Sequence, residues 1–180
     1  MRQTLKLHRD SRCKAVTRIE AEVTRPRPDA LALNYFVTGN IGDVLWPELG
    51  KHGRSDGLWQ HTCFEVFVRA SAGQAYFEFN FSPSLQWAAY RFDSYRSGMG
   101  VAEAASDPQL GTQSGTTYYD LKVLLTLDLP IDAVLRLGLS AVIEETNGEK
   151  SYWALAHPPG KADFHHADCF AYELPVADRL

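Results

Sequence analysis

The stretches CFEVFVRA (63–70), AYFEFNFS (75–82) and QWAAYRFD (86–93) alternate with period two, the spacing of a β-strand rather than the 3.6 of a helix. The links SAGQ and PSL are short, so the three strands are expected to form an antiparallel meander. Successive side chains of a strand point to opposite sides, and the meander can therefore be sorted by face. One side collects Phe64, Val66, Val68, Phe77, Phe79, Phe81, Ala88, Tyr90 and Phe92, and is expected to be the core. The other collects Glu65, Phe67, Tyr76, Glu78, Asn80, Trp87, Ala89 and Arg91, a mixture of carboxylates, an amide, a guanidinium and large rings.

The same alternation extends outward from the meander. Strands are expected at 15–24 and 31–38, joined by the turn-forming RPRPD, with Leu31, Leu33, Tyr35 and Val37 on one face. Residues 40–58 are rich in Gly, Pro and Asp and read as a long loop with one helical turn; 94–115 reads as a polar excursion or an irregular edge strand. Alternation resumes at 117–127, 134–145 and 151–157. Its apolar faces are Leu121, Val123, Leu125 and Leu127, then Leu135, Leu137, Leu139, Ala141 and Ile143. NGEK before Ser151 is a hairpin signal, and a short strand is expected near 169–174. The fold class is thus all-β: an antiparallel β-sandwich of about 9–11 strands, of jelly-roll or immunoglobulin-like type.

Composition narrows the function. At 180 residues, 45% apolar and 22% charged, the chain is expected to be one domain over 1–180, burying about 70% of its unfolded surface without disulfide or metal. A net charge of −4 with no long basic block argues against nucleic-acid binding. No run of 18 apolar residues appears, and MRQTLKLHRDSRCK lacks the apolar stretch of a secretory signal; a cytoplasmic protein with no membrane partner is expected. Three cysteines, Cys13, Cys63 and Cys169, are at no metal-ligand spacing, and Cys63 and Cys169 read as small packed residues.

A face that mixes Trp and Phe with Glu, Asn and Arg suits a carbohydrate, whose C–H faces lie on rings while its hydroxyls meet planar donors and acceptors. A solvated sheet face explains the charged residues equally well, but gives Phe67 and Trp87 no reason to be there.

Residues 57–92, GLWQHTCFEVFVRASAGQAYFEFNFSPSLQWAAYRF, resemble the central block of the DOMON-like β-sandwich domains, a superfamily that includes family-nine carbohydrate-binding modules and haem-binding cytochrome domains. The resemblance is closest to a bacterial DOMON-like group, relatives of which occur fused to UDP-N-acetylenolpyruvoylglucosamine reductase; ALAHPPGKADFHHADCFAYEL (154–174) is similar to that group as well. The resemblance implies a binding slot at Trp59, Glu65, Glu78 or Asn80, and Arg91, beside Trp87 from the alternation, with Trp153 or Phe164 as a second ring. Gln60 and His61 depart from the acidic residue that usually follows the Trp. A small intracellular sugar or sugar nucleotide fits this chain better than an extracellular polysaccharide.

Other chemistries have weaker support. Haem would need Met and His as axial ligands, and Met99 is the sole methionine besides Met1. A zinc-type site would need His61 and His166 to meet a carboxylate. The DFHHAD segment and the cysteine after it supply Asp163, His165, His166, Asp168 and Cys169 in seven residues, but adjacent histidines on an extended chain point opposite ways, so one is expected in a buried polar network and the other in solvent. Glu65 and Glu78 could form an acid–base pair, yet no hydrolase, phosphate-loop or dinucleotide motif accompanies them. The expectation is a non-catalytic domain without cofactor or metal that binds a small molecule; a protein-docking module is the remaining class.

Overall fold

The computed structural model describes residues 1–71, 73–103, 107–126 and 133–176. Among these residues thirteen strands follow one another: β1 (Arg2–Leu7), β2 (Val16–Arg27), β3 (Ala30–Gly39), β4 (Gly53–Arg54), β5 (Cys63–Ala70), β6 (Tyr76–Phe81), β7 (Gln86–Phe92), β8 (Gly100–Val101), β9 (Gln109–Ser114), β10 (Tyr118–Thr126), β11 (Leu135–Glu144), β12 (Lys150–Ala154) and β13 (Tyr172–Leu174). Short 3₁₀ turns occupy Ile41–Asp43, Leu58–Gln60 and Ala167–Cys169. The expected loop over 40–58 thus contains two of these turns, in part or whole, and the two-residue β4; Leu127 lies outside the described residues.

The strands form two layers. One has the order β1-β2-β3-β10-β9; the other runs β12-β11-β5-β6-β7, with β4 and β8 on the free edge of β7 and β13 beside β11. β1 joins them: Arg2–Leu5 pair with β2, while Lys6 and Leu7 pair with Ala154 and Trp153 of β12. This strand was not expected from sequence, because RQTLKL has only two apolar residues and acquires its role from long-range pairing.

The core fills the space between the layers. Ile19, Leu33, Tyr35 and Leu121 from one sheet meet Phe64, Val66, Phe79, Phe81 and Leu139 from the other, all buried. Tyr35 also reaches across, and its hydroxyl donates to the Glu65 carbonyl at 2.6 Å, so the polar end of a core ring is satisfied. At the β11–β12 hairpin Gly148 takes the left-handed φ of 84° that the expected turn requires, and Asn147 Oδ1 accepts from the Glu149 amide.

The register of β7 corrects the sequence-based sorting of faces. Phe81 pairs with Trp87, Phe79 with Ala89 and Phe77 with Arg91, which puts Trp87, Ala89 and Arg91 on the core side. Tyr90 and Phe92 instead share a face with Glu78 and Tyr76. Trp87 is 3% exposed and its ring lies under the Arg54 guanidinium, 4.4 Å from the centroid. That guanidinium donates to the carbonyls of Ala89 and Ala102, closing the sheet edge. Arg91 emerges at the margin and pairs with Asp93 at 3.1 Å. The strand QWAAYRF is apolar in both phases, so alternation alone carries no contrast there.

Denaturant unfolding checks this register. Trp87→Ala is expected to lower the unfolding free energy by about 3–5 kcal/mol, as a large core truncation does, and Arg91→Ala by less than about 0.5 kcal/mol. The reverse ranking would place β7 in the other phase.

Candidate functional site

The outer face of the β12-β11-β5-β6-β7 sheet is not solvated. Phe67, Tyr76, Ala88, Tyr90 and Phe92 form a second apolar cluster on it, covered by Phe170 and flanked by Leu58 and Phe164. Phe67 therefore has its reason to be on this face: the segment after β12 returns across the sheet. Gly138, opposite Phe67 on β11, lets the 167–169 turn lie close, since a Cβ there would stand 3.2 Å from the Cys169 carbonyl oxygen.

Beside this cluster a cleft of about 640 Å³ opens. Glu65, Glu78, Val142 and Tyr152 come from the sheet; Trp59 and Gln60 come from the 58–60 turn, Arg96 and Met99 from the loop after β7, and Phe164 and His165 from the returning segment. Trp59 is 41% exposed and meets Tyr90 edge to face at 6.0 Å. Tyr90 in turn donates to Asp56 at 2.8 Å. Phe164 meets Tyr152 edge to face at 6.2 Å.

Two carboxyl groups define the polar part of the cleft. Glu65 and Glu78 stand on paired strands in diagonal register, Glu65 opposite Asn80 and Phe67 opposite Glu78, with 2% and 6% exposure. Ser140 Oγ donates to Glu65 Oε2 at 3.0 Å, and Asn80 Nδ2 donates to Glu78 Oε1 at 2.8 Å. Burial, and then the neighbouring Glu78, pushes the Glu65 carboxyl up to about 8, so it holds a proton at neutral pH. Burial also raises Glu78, opposed by its Asn80 hydrogen bond and by Arg96.

His165 is held within hydrogen-bonding reach on one side and faces the acids on the other. The Tyr76 oxygen accepts from the Arg96 amide at 3.2 Å and lies 2.8 Å from His165 Nδ1, so the phenol donates to that nitrogen. The ring proton is then on Nε2, 3.6 Å from Glu78 Oε2. Burial and the nearby Arg96 lower the imidazole to about 4, so His165 is neutral and the contact is not an ion pair at neutral pH. Asp163 fastens the two covering loops, accepting from Arg96 at 2.7 Å, from the Tyr95 hydroxyl and from the His165 amide. Burial alone would raise the Asp163 carboxyl; the Tyr95 and Arg96 hydrogen bonds hold it below the ordinary carboxylate range.

The structure brings Trp59, Glu65 and Glu78 together in this cleft. Asn80, fully buried, acts behind Glu78 as its donor. Trp87 and Arg91 are on the other side of the sheet, and Trp153 is also core, donating to Ser151, so of the two second-ring candidates only Phe164 borders the cleft. Arg96, Lys150, Tyr152 and His165 complete it without having been assigned to it from sequence. The DFHHAD segment was the available signal: His165 enters the polar network, whereas His166 caps the 167–169 turn by accepting from Asp168 N.

Among the described residues no three His, Cys, Asp or Glu side chains are grouped to hold a metal ion, and His61 instead pairs with Glu144 at 2.7 Å. Met99 and His165 both border the cleft, but both ring nitrogens of His165 are directed at protein groups, which does not suit an axial ligand. Cys63 and Cys169 are buried, and burial pushes the Cys169 thiol up to about 12.

No family model and no curated protein sequence matches the chain. Solved structures do resemble it in fold. A candidate carbohydrate-binding protein from Bacteroides uniformis superposes with a TM-score of 0.71 over 94% of this chain and 83% of that one, at 12% identity. A family-nine carbohydrate-binding module from Caldicellulosiruptor kristjanssonii in complex with glucose gives 0.57 over 99% and 86%, and one in complex with cellotriose gives 0.51 over 88% and 75%, each at 12% identity. The architecture is that of an all-β domain consistent with the sandwich of family-nine carbohydrate-binding modules.

The buried acids make stability depend on pH. A folded-state value near 8 for Glu65, above its unfolded value of 4.5, contributes stability that is complete at acid pH and is lost as pH rises through about 8. Melting temperatures of the ligand-free protein should fall between pH 5 and pH 9, and Glu65→Gln should flatten that decline and melt higher than wild type at pH 9. A mutant that melts lower at pH 9 with the slope intact would contradict the buried, proton-holding carboxyl.

Proposed function

We propose that residues 1–180 form one DOMON-like domain of jelly-roll type, and that it is a non-catalytic carbohydrate-binding protein of the cytoplasm whose ligand is a small sugar or sugar nucleotide. The observation that carries this reading is the cleft itself, where Trp59 and Phe164 offer ring faces beside the buried Glu65 and Glu78 and the polar Gln60, Lys150 and Tyr152. Flat rings match the C–H face of a pyranose at little entropic cost, and fixed carboxyl groups match vicinal hydroxyls. The glucose and cellotriose complexes of structures with the same fold support a saccharide over other small molecules. The resemblance of residues 57–92 to DOMON-like domains supports the finer assignment.

Thermal shift and calorimetry with monosaccharides, cello-oligosaccharides and sugar nucleotides test the reading. At least one saccharide should bind, with Trp59→Ala and Glu78→Gln each weakening it about tenfold or more, a loss of ~1.4 kcal/mol. Arg91→Ala should leave the affinity within about twofold. Equal affinity in Trp59→Ala and wild type would move the site elsewhere, and turnover of aryl glycosides would overturn the non-catalytic assignment.

A further inference from the structure

The hydrogen bonds around the two acids leave a specific deficit. Ser140 supplies a donor to one oxygen of Glu65, and Asn80 to one oxygen of Glu78. Among the described residues none donates a hydrogen bond to Glu65 Oε1, and this oxygen is not one of the buried polar atoms sealed off without a partner, so it opens to the cleft that Glu65 borders. Among the described residues Glu78 Oε2 has only the His165 Nε2 at 3.6 Å, beyond a good hydrogen bond. Two acceptor oxygens from neighbouring strands thus border one cavity, each open to a donor that enters it.

The protein's own cations do not fill that gap. Arg96 is engaged by Asp163 at 2.7 Å, Lys150 lies 3.8 Å from Glu144, and His165 receives the Tyr76 hydroxyl and is neutral. The remaining titratable groups around the pair, Cys63 and Tyr35 near Glu65 and Tyr76 and Tyr90 near Glu78, are neutral donors or acceptors at pH 7, each with its proton held more tightly by burial. In the free protein a proton on the pair limits the repulsion between the two carboxylates. Such an acceptor pair is served best by a group with several N–H donors and a positive charge, and the nearby aromatic rings Trp59 and Phe92 suit a cation as well.

Resting on the sugar-binding reading, we infer that the cleft selects a sugar bearing a free primary amine, whose ammonium donates to the carboxyl groups of Glu65 and Glu78. The ring of such a sugar lies on Trp59 and Phe164, and its amine points to the carboxyl pair. An N-acylated sugar loses the charge and two of the three donors, and a neutral hexose supplies one O–H where the ammonium supplies three N–H groups.

The test is titration calorimetry of the 180-residue chain with D-glucosamine, D-glucose and N-acetyl-D-glucosamine at pH 6.5, in buffers of different ionisation enthalpy. Glucosamine should bind about tenfold or more tightly than the other two and release about one proton per site. Glu65→Gln and Glu78→Gln should each reduce that preference to about threefold or less; the acetylated sugar makes the same test on the wild-type chain if a variant does not fold. Glucosamine binding no tighter than glucose, or with no proton release, overturns the inference. Binding of neutral saccharides in the wider panel then leaves the sugar-binding reading standing, whereas a blank across the whole panel removes both.

Discussion

The pairing of β5 with β11 is the constraint from which both faces of the molecule follow. Eight residues are held in antiparallel register, and each pair fixes a side: Val66 against Leu139 enters the core, and Glu65 against Ser140 enters the cleft. A slip of one residue in β5 would drive Glu65 into the sandwich and turn Phe64, Val66 and Val68 onto the cleft face. The core opposes that slip strongly, since Phe64, Val66 and Val68 are fully buried against the other sheet. The carboxyl pair is therefore anchored by hydrophobic burial on the reverse of its own strands.

That coupling explains why the fold was more legible than the site. Alternation in 31–38, 63–70, 75–82 and 134–145 is marked because one face of each strand is consistently large and apolar, and those segments fold as the pattern requires. β7 breaks the rule because the centre of QWAAYRF is apolar in both phases, Trp87 and Ala89 against Ala88 and Tyr90. β5 and β6 are buried on both faces too, but Glu65, Glu78 and Asn80 mark their outer side and keep the contrast that alternation depends on. Alternation thus puts Trp87 and Arg91 on the cleft face in error, whereas Trp59, Glu65 and Glu78, read from the adjoining turn and the two clearly phased strands, lie in the cleft.

The other cleft residues were hidden for a different reason. Arg96 and His165 are 69 positions apart and become neighbours only because Asp163 and the Tyr76 hydroxyl tie their loops together. No periodicity encodes such a meeting. What the sequence does carry is the chemistry of the pieces: the paired histidines of 163–168 separate, one toward the acids and one to a turn cap, as the opposite directions of adjacent side chains require.

The two links meet in the energetics of the acid pair. Burying Glu65 and Glu78 side by side disfavours their ionised forms, and an apolar pair of similar volume would make a more stable sheet. Ser140 and Asn80 offset part of that cost, one donor per carboxyl, and stop short of satisfying the pair. One oxygen of each carboxyl is left facing the cleft, where it can accept from a donor that a fully prepaired site would turn away. The local conflict with good packing coincides with the cleft, beneath the rings and beside the loops that close it, which is where a functional demand is expected to override stability.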